Sequence, residues 1–125
     1  MATMRTLTAL LALLCLPAIA EEQTGAEVYQ TICSKCHGSG VDQAPVFGDT
    51  RRWQKLIREG LDDLVPAALA GLRKMPPKGG NPALSDREVA RGVIHMANAA
   101  GARFAEPSEA QLVRWRRTAD KRSRK

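Results

Sequence analysis

Apolar positions recur at helical spacing in several short stretches, each fenced by a recognisable start and stop. Thr24 followed by Glu27 is a capping box, and Val28 and Ile32, four apart, give the helix behind it one apolar stripe. That helix runs into Cys33, and Gly38 and Gly40 end it. Asp49 or Thr50 caps a second helix with Trp53, Leu56 and Ile57 on its apolar side, closed by Gly60. A third, short helix opens at Asp62 or Asp63 and offers Leu64, Ala67, Ala68 and Leu69 for burial. Pro66 is expected in its first turn, where a missing N–H costs nothing, and Gly71 stops it. The stretch from Lys74 to Pro82 holds three prolines and two glycines and reads as a loop. Ser85 and Glu88 form another capping box, and Val89, Val93, Met96, Ala97 and Ala100 line one face of a helix reaching Gly101. No stretch alternates like a strand and nothing repeats, so the fold class is all-α. Beyond Gly101, Pro107-Ser108 can open a short helix carrying Leu112, Val113 and Trp115. From Arg116 onward the chain is charged and almost without apolar residues, a pattern that predicts disorder.

The beginning of the chain follows a different pattern. Arg5 precedes an apolar run of ten from Leu7 to Leu16, too short to span a bilayer, and Ala18-Ile19-Ala20 follows as a small-x-small exit. Residues 1–20 are expected to be a signal peptide that sends the chain to the periplasm. An uncleaved membrane anchor is the competing reading, and Leu14 is a poor neighbour for lipidation of Cys15. Three parts result: the leader 1–20, a domain over 21–103 and a basic extension over 104–125. Removal of the leader leaves two cysteines, Cys33 and Cys36.

Charge is unevenly distributed. The whole chain carries +6, and residues 114–125 alone, with seven basic side chains and one acid, also sum to +6. The high pI therefore belongs to the tail. A nucleic-acid-binding domain would carry its basic face within the fold, so no nucleic-acid partner is expected. A domain this small usually needs a staple beyond its own apolar core, and a large flat cofactor would serve.

Cys33-Ser34-Lys35-Cys36-His37 supplies a candidate. C-x-x-C-H is a haem c attachment sequence: two cysteines three apart reach the two vinyl groups of one porphyrin, and the adjacent histidine falls under the iron. A thioredoxin-like dithiol would need a βαβ pattern, and a plain disulfide has no use for His37. A zinc site from Cys33, Cys36, His37 and His95 has the wrong spacing. For the other axial position the mature chain offers Met75, in the Pro/Gly-rich loop, and Met96, on an apolar helix face where methionine usually packs. Position favours Met75; His95 leaves a bis-His site open.

With these residues in view, the stretch from Thr24 to Gly101 resembles the class I c-type cytochromes, specifically the cytochrome c5-like branch. The resemblance rests on Val28-Tyr29, the haem pentapeptide, Ala44-Pro45, Gly48-Asp49, Trp53, Gly60, Gly71, the Met75-Pro76-Pro77-Lys78-Gly79-Gly80 loop and Leu84 to Val89, closing on Met96. It implies a small all-α fold of about four helices wrapped around one covalent haem c. It implies His37 and Met75 as axial ligands, the Pro45 carbonyl as acceptor for the His37 ring N–H, and Trp53 against the haem, donating to a propionate or simply packing. It also implies a carrier of single electrons between redox protein donors and acceptors, some of them membrane-bound, rather than an enzyme. Two other roles stay open: a haem-containing subunit of a larger oxidoreductase, and a haem enzyme or gas binder with a labile sixth ligand. Lys35, Lys74 and Lys78 flank the ligand segments and can steer acidic partners. The chain departs from the pattern at Gln43, where glycine is frequent, at His95, where an aromatic is common, in lacking a second cysteine pair, and in its basic tail. For that tail the readings are a solvated disordered end, peripheral membrane contact with Leu112, Val113 and Trp115 inserted, and an acidic protein partner.

Overall fold

The computed structural model describes residues 1, 15–17 and 20–125. The expected leader lies outside the described residues apart from positions 1, 15–17 and 20. Among the described residues no helix is long and apolar enough to cross a membrane.

Thr24 caps the first helix as its spacing predicts. Its hydroxyl accepts the Glu27 N–H at 3.2 Å, and the Glu27 carboxylate accepts the Thr24 N–H at 2.7 Å. This helix, α1, covers residues 25–37 in three pieces: α-helical Gly25–Val28, a wider π turn over Tyr29–Cys33, and α-helical Ser34–His37. Within it the hydroxyls of Thr31 and Ser34 donate to the Glu27 and Gln30 carbonyls, four residues back, at 2.9 and 2.8 Å. Such back-bonding competes with the regular ladder and accompanies the widened turn.

Helix α2, Thr50–Glu59, is capped by Asp49, whose carboxylate accepts the Arg52 N–H at 3.1 Å. Helix α3, Leu61–Ala70, starts at once behind Gly60, ahead of either aspartate expected to open it. Asp62 and Asp63 therefore lie inside its first turn, at the positive end of the helix dipole. Pro66 is in the helix interior instead of the first turn. Its missing N–H leaves the Asp62 carbonyl without an intrahelical donor, at a residue that faces water, while the ring itself is fully buried.

Helix α4, Asp86–Ala99, carries the second capping box. Glu88 accepts the Ser85 N–H at 2.8 Å and reaches across to the Gln23 N–H at 2.9 Å. The Gln23 bond leads in holding the Glu88 carboxyl below its ordinary range, against the opposite push of burial. Helices α1 and α4 cross in near contact. A Cβ on Gly25 would stand 2.4 Å from the Arg91 carbonyl oxygen, and one on Gly92 would stand 3.1 Å from Val28. Only glycine lets the two backbones approach this closely.

The chain does not become disordered at Arg116. Glu109–Ser123 forms one helix, α5, capped by Ser108 with Gln111. Trp115 and Ala119 on it are fully buried in a cluster with Val65, Ala68, Leu69, Val89 and Val93, and Leu112 packs at its edge. The charges that predicted disorder find partners on the domain. Arg122 pairs with Asp63, Arg114 with Asp62 at 3.0 Å, and Arg116 donates to Asp86 at 2.7 Å. The Trp115 indole N–H also donates to Asp62, at 2.6 Å, and Arg87 grips the start of α5 through the Pro107 carbonyl at 2.8 Å. Sequence reading missed this because the stripe is thin: Leu112, Trp115 and Ala119 are separated by charged residues whose partners lie far away in the chain.

Candidate haem site

His37 ends α1 and is 9 % exposed. The chain after it turns back tightly. Gly40 has φ +86, and Asp42 and Gln43 also take left-handed conformations, φ +51 and +65. This turn brings Ala44-Pro45 against the helix end, where the Phe47 N–H donates to the His37 carbonyl at 2.7 Å. Pro45 then presents its carbonyl oxygen 2.7 Å from His37 Nδ1. A carbonyl can only accept, so Nδ1 carries the proton and Nε2 keeps its lone pair. Nε2 has no hydrogen-bond partner among the described residues. The frequent glycine at position 43 in the family now has a physical reason, since Gln43 adopts a conformation that disfavours a side chain.

Cys33 and Cys36 are both half-buried free thiols and do not form a disulfide. Burial pushes the Cys33 thiol up to about 11. A catalytic dithiol has the opposite character, a lowered pKa in an electropositive setting. Among the described residues no three His, Cys, Asp or Glu side chains gather as a metal group. His95 instead joins an aromatic trio, 5.6 Å from the Tyr29 ring and 5.5 Å from Phe47, in the position the resemblance reserves for an aromatic.

Met75 closes a tight turn. Leu72 and Met75 exchange both backbone hydrogen bonds, at 3.0 and 2.9 Å. Gly71 before it has φ +84, and a Cβ there would lie 2.9 Å from both the Met75 carbonyl and the Pro77 nitrogen. The Met75 side chain is half-buried at the edge of the larger apolar cluster. Met96 is 3 % exposed, packed with Trp53, Ala97 and Ala100 in the smaller one. Trp53 is buried, its ring centroid 6.5 Å from that of His37. Its indole N–H donates to the Val46 carbonyl at 3.0 Å, a bond that fixes the loop after Pro45.

Half-buried apolar side chains rim both clusters: Ile32, Leu61, Leu64 and Met75 on one, Phe47, Leu56 and Ile57 on the other, with Cys33 touching both. Two free thiols three apart, an imidazole with one open nitrogen, and apolar rims left partly bare together suit a flat apolar macrocycle bound through thioethers and a histidine.

Of the lysines expected to steer partners, Lys35 is exposed. Lys74 pairs with Asp42 at 3.4 Å. Lys78 is not free: its ammonium donates to the Leu84 carbonyl at 2.6 Å and lies 3.5 Å from Asp86. The sequence reading overlooked α2, which exposes Arg51, Arg52, Lys55 and Arg58 on the helix that also carries Trp53. Their three- and four-residue spacing was the available signal.

Residues 20–96 match the family model described as cytochrome C oxidase, cbb3-type, subunit III. Cytochrome c-555 of Prosthecochloris aestuarii is 35% identical over 82 residues, covering 59% of this chain and 83% of the relative. Cytochrome c5 of Azotobacter vinelandii is 36% identical over 77 residues, 60% of this chain and 93% of the relative. Among solved structures, the cytochrome c chain in the crystal structure of an electron transfer complex of nitrite reductase with cytochrome c matches with a TM-score of 0.59. It is 37% identical and aligned over 61% of this chain and 93% of that one. The chain belongs to the class I c-type cytochromes, in their cytochrome c5-like branch. It is a monohaem electron carrier with one covalently bound haem c, and not an enzyme.

Proposed function

We propose that this chain carries single electrons between protein partners in the periplasm, with Cys33 and Cys36 holding the haem through thioethers and His37 and Met75 as its axial ligands. The observation that carries the reading is the buried His37 ring, whose Nδ1 is held 2.7 Å from the Pro45 carbonyl while Nε2 stays open. The acceptor fixes the ring orientation and tautomer and makes the open nitrogen a better donor. When bound, haem would supply one-electron chemistry, with Cys33, Cys36, His37 and Met75 as the residues that would hold it. The protein's apolar rims exclude water, and its backbone holds the two ligands where they are.

Redox encounters are brief and bury little surface, so charge does much of the steering. The exposed arginines and lysine of α2 suit an acidic face on the partner. Among the solved neighbours is a cytochrome c in an electron transfer complex with nitrite reductase, which supports a redox protein as partner. Membrane contact through the tail loses two of its three apolar anchors, because Trp115 is fully buried and Leu112 packs on the core, leaving Val113.

A second reading, a subunit of a larger oxidoreductase, draws support from the description of the matched family. Purification at native expression separates the two: a free carrier leaves the column alone, and a subunit leaves it with its oxidase. An optical spectrum of the mature protein, with carbon monoxide added to the reduced form, tests the ligands. A low-spin spectrum with a Met–Fe(III) charge-transfer band and no response to carbon monoxide is expected. A high-spin spectrum, or ready carbon monoxide binding, overturns Met75 and favours a gas binder.

A further inference from the structure

We propose that the C-terminal helix is a brace for the loop that carries Met75, acting through a relay from Arg116 to Asp86 to Lys78, with Arg116 as a positioning residue for the sixth ligand. The proposal rests on Met75 being that ligand.

The family match ends at residue 96, and α5 begins at Glu109, so this helix is an addition to the matched region. It is anchored by more than charge. Trp115 is fully buried and donates to Asp62, which fixes the helix against α3. That anchorage sets Arg116 beside the start of α4. Its Nε donates to Asp86 Oδ2 at 2.7 Å, and a second guanidinium nitrogen reaches Asp86 Oδ1. This two-pronged contact is the strong and directional form of an arginine–carboxylate pair. The Asp86 carboxylate, held by Arg116, also faces the Lys78 ammonium at 3.5 Å.

Lys78 lies three residues after Met75, and its side chain is tied down at the far end by the Leu84 carbonyl at 2.6 Å. Its backbone is in the left-handed region, φ +55, where a side chain is disfavoured, and Gly79 follows at φ +63. Such a conformation persists only where the surroundings enforce it. At the other end, Gly71 and the Leu72–Met75 turn pin the loop to the end of α3. The loop is therefore clamped on both sides of Met75, and on the Lys78 side the clamp passes through Asp86 to a helix outside the matched region. Pro77, Lys78, Pro82, Asp86 and Arg116 line a groove of about 570 Å³, so the charged relay borders a space that apolar packing does not fill.

Displacing Met75 from the iron requires the loop to move, and the relay opposes that movement. The test measures binding of added imidazole to the oxidised holoprotein, followed through loss of the Met–Fe(III) charge-transfer band, in the wild type, Arg116→Gln, Arg116→Lys and Lys78→Gln. Loss of one charge-assisted pair should let imidazole displace the methionine roughly tenfold more readily in Arg116→Gln and in Lys78→Gln. The effects should be non-additive in the double variant, and Arg116→Lys should recover part of the wild-type behaviour. A lower melting temperature with unchanged imidazole affinity in both single variants makes the helix a purely structural appendage and overturns the brace. Additive effects overturn the relay. If the wild type itself lacks the band, the Met75 assignment fails and the brace fails with it; if the band is present and the variants match the wild type, the brace alone fails.

Discussion

Gln43, the last of the left-handed residues in the turn after His37, shapes the approach to the site. With φ +65 it completes the turn that delivers the Pro45 carbonyl to His37, and it does so without the freedom of glycine. Relief of a left-handed side chain is worth ~1–2 kcal/mol and the added flexibility of unfolded glycine takes back part of it. Gln43→Gly should therefore stabilise the holoprotein by roughly 0.5–1 kcal/mol in denaturant melts, with the spectrum unchanged. A lower stability would mean that the Gln43 side chain contributes contacts outweighing its strain. Met75→Ala should leave the haem attached but open the sixth position, so carbon monoxide binds the reduced form and the reduction potential falls. The haem attachment pentapeptide was legible from local sequence because its chemistry depends on spacing along the chain. The destination of the Trp53 N–H was not legible, since Val46 competes for it only once the loop is folded.

Among the elements, those with a cap and a clear stop were readable: Thr24, Asp49 and Ser85 each bond as their spacing implied. Helix α5 was readable only at its start behind Pro107-Ser108; its continuation past Arg116 was not, because the stability there comes from residues elsewhere. Asp62, Asp63 and Asp86 neutralise its arginines, and α3 and α4 cover Trp115. Removing a buried tryptophan side chain costs ~3–5 kcal/mol, so Trp115→Ala should cut the unfolding free energy by an amount of that order. An unchanged denaturation midpoint would contradict the burial of Trp115. The same junction has a pH signature. Arg116, through its hydrogen bonds first, holds Asp86 below its ordinary 3.8. A carboxyl with a depressed folded-state pKa stabilises the fold fully above its unfolded value, and this is lost as pH falls through the folded value. Melting temperature should therefore decline below pH 4, and the decline should be shallower in Asp86→Asn.

For the molecule as a whole, charge is sorted by use. The arginines of α5 that face the domain are spent on internal pairs, whereas Arg51, Arg52, Lys55 and Arg58 on α2 remain exposed to solvent. Electron transfer to an acidic partner should slow as salt shortens the Debye length from ~30 Å at 0.01 M to ~8 Å at 0.15 M. Reversing Lys55 and Arg58 to glutamate should flatten that dependence, and rates independent of salt in the wild type would exclude steering by this face. Trp115 is fully buried, yet it belongs to a helix beyond residue 96, where the family match stops. A core completed in part by this added helix ties the extension to the domain, so a protease that removes the extension uncovers Val65, Leu69 and Val93.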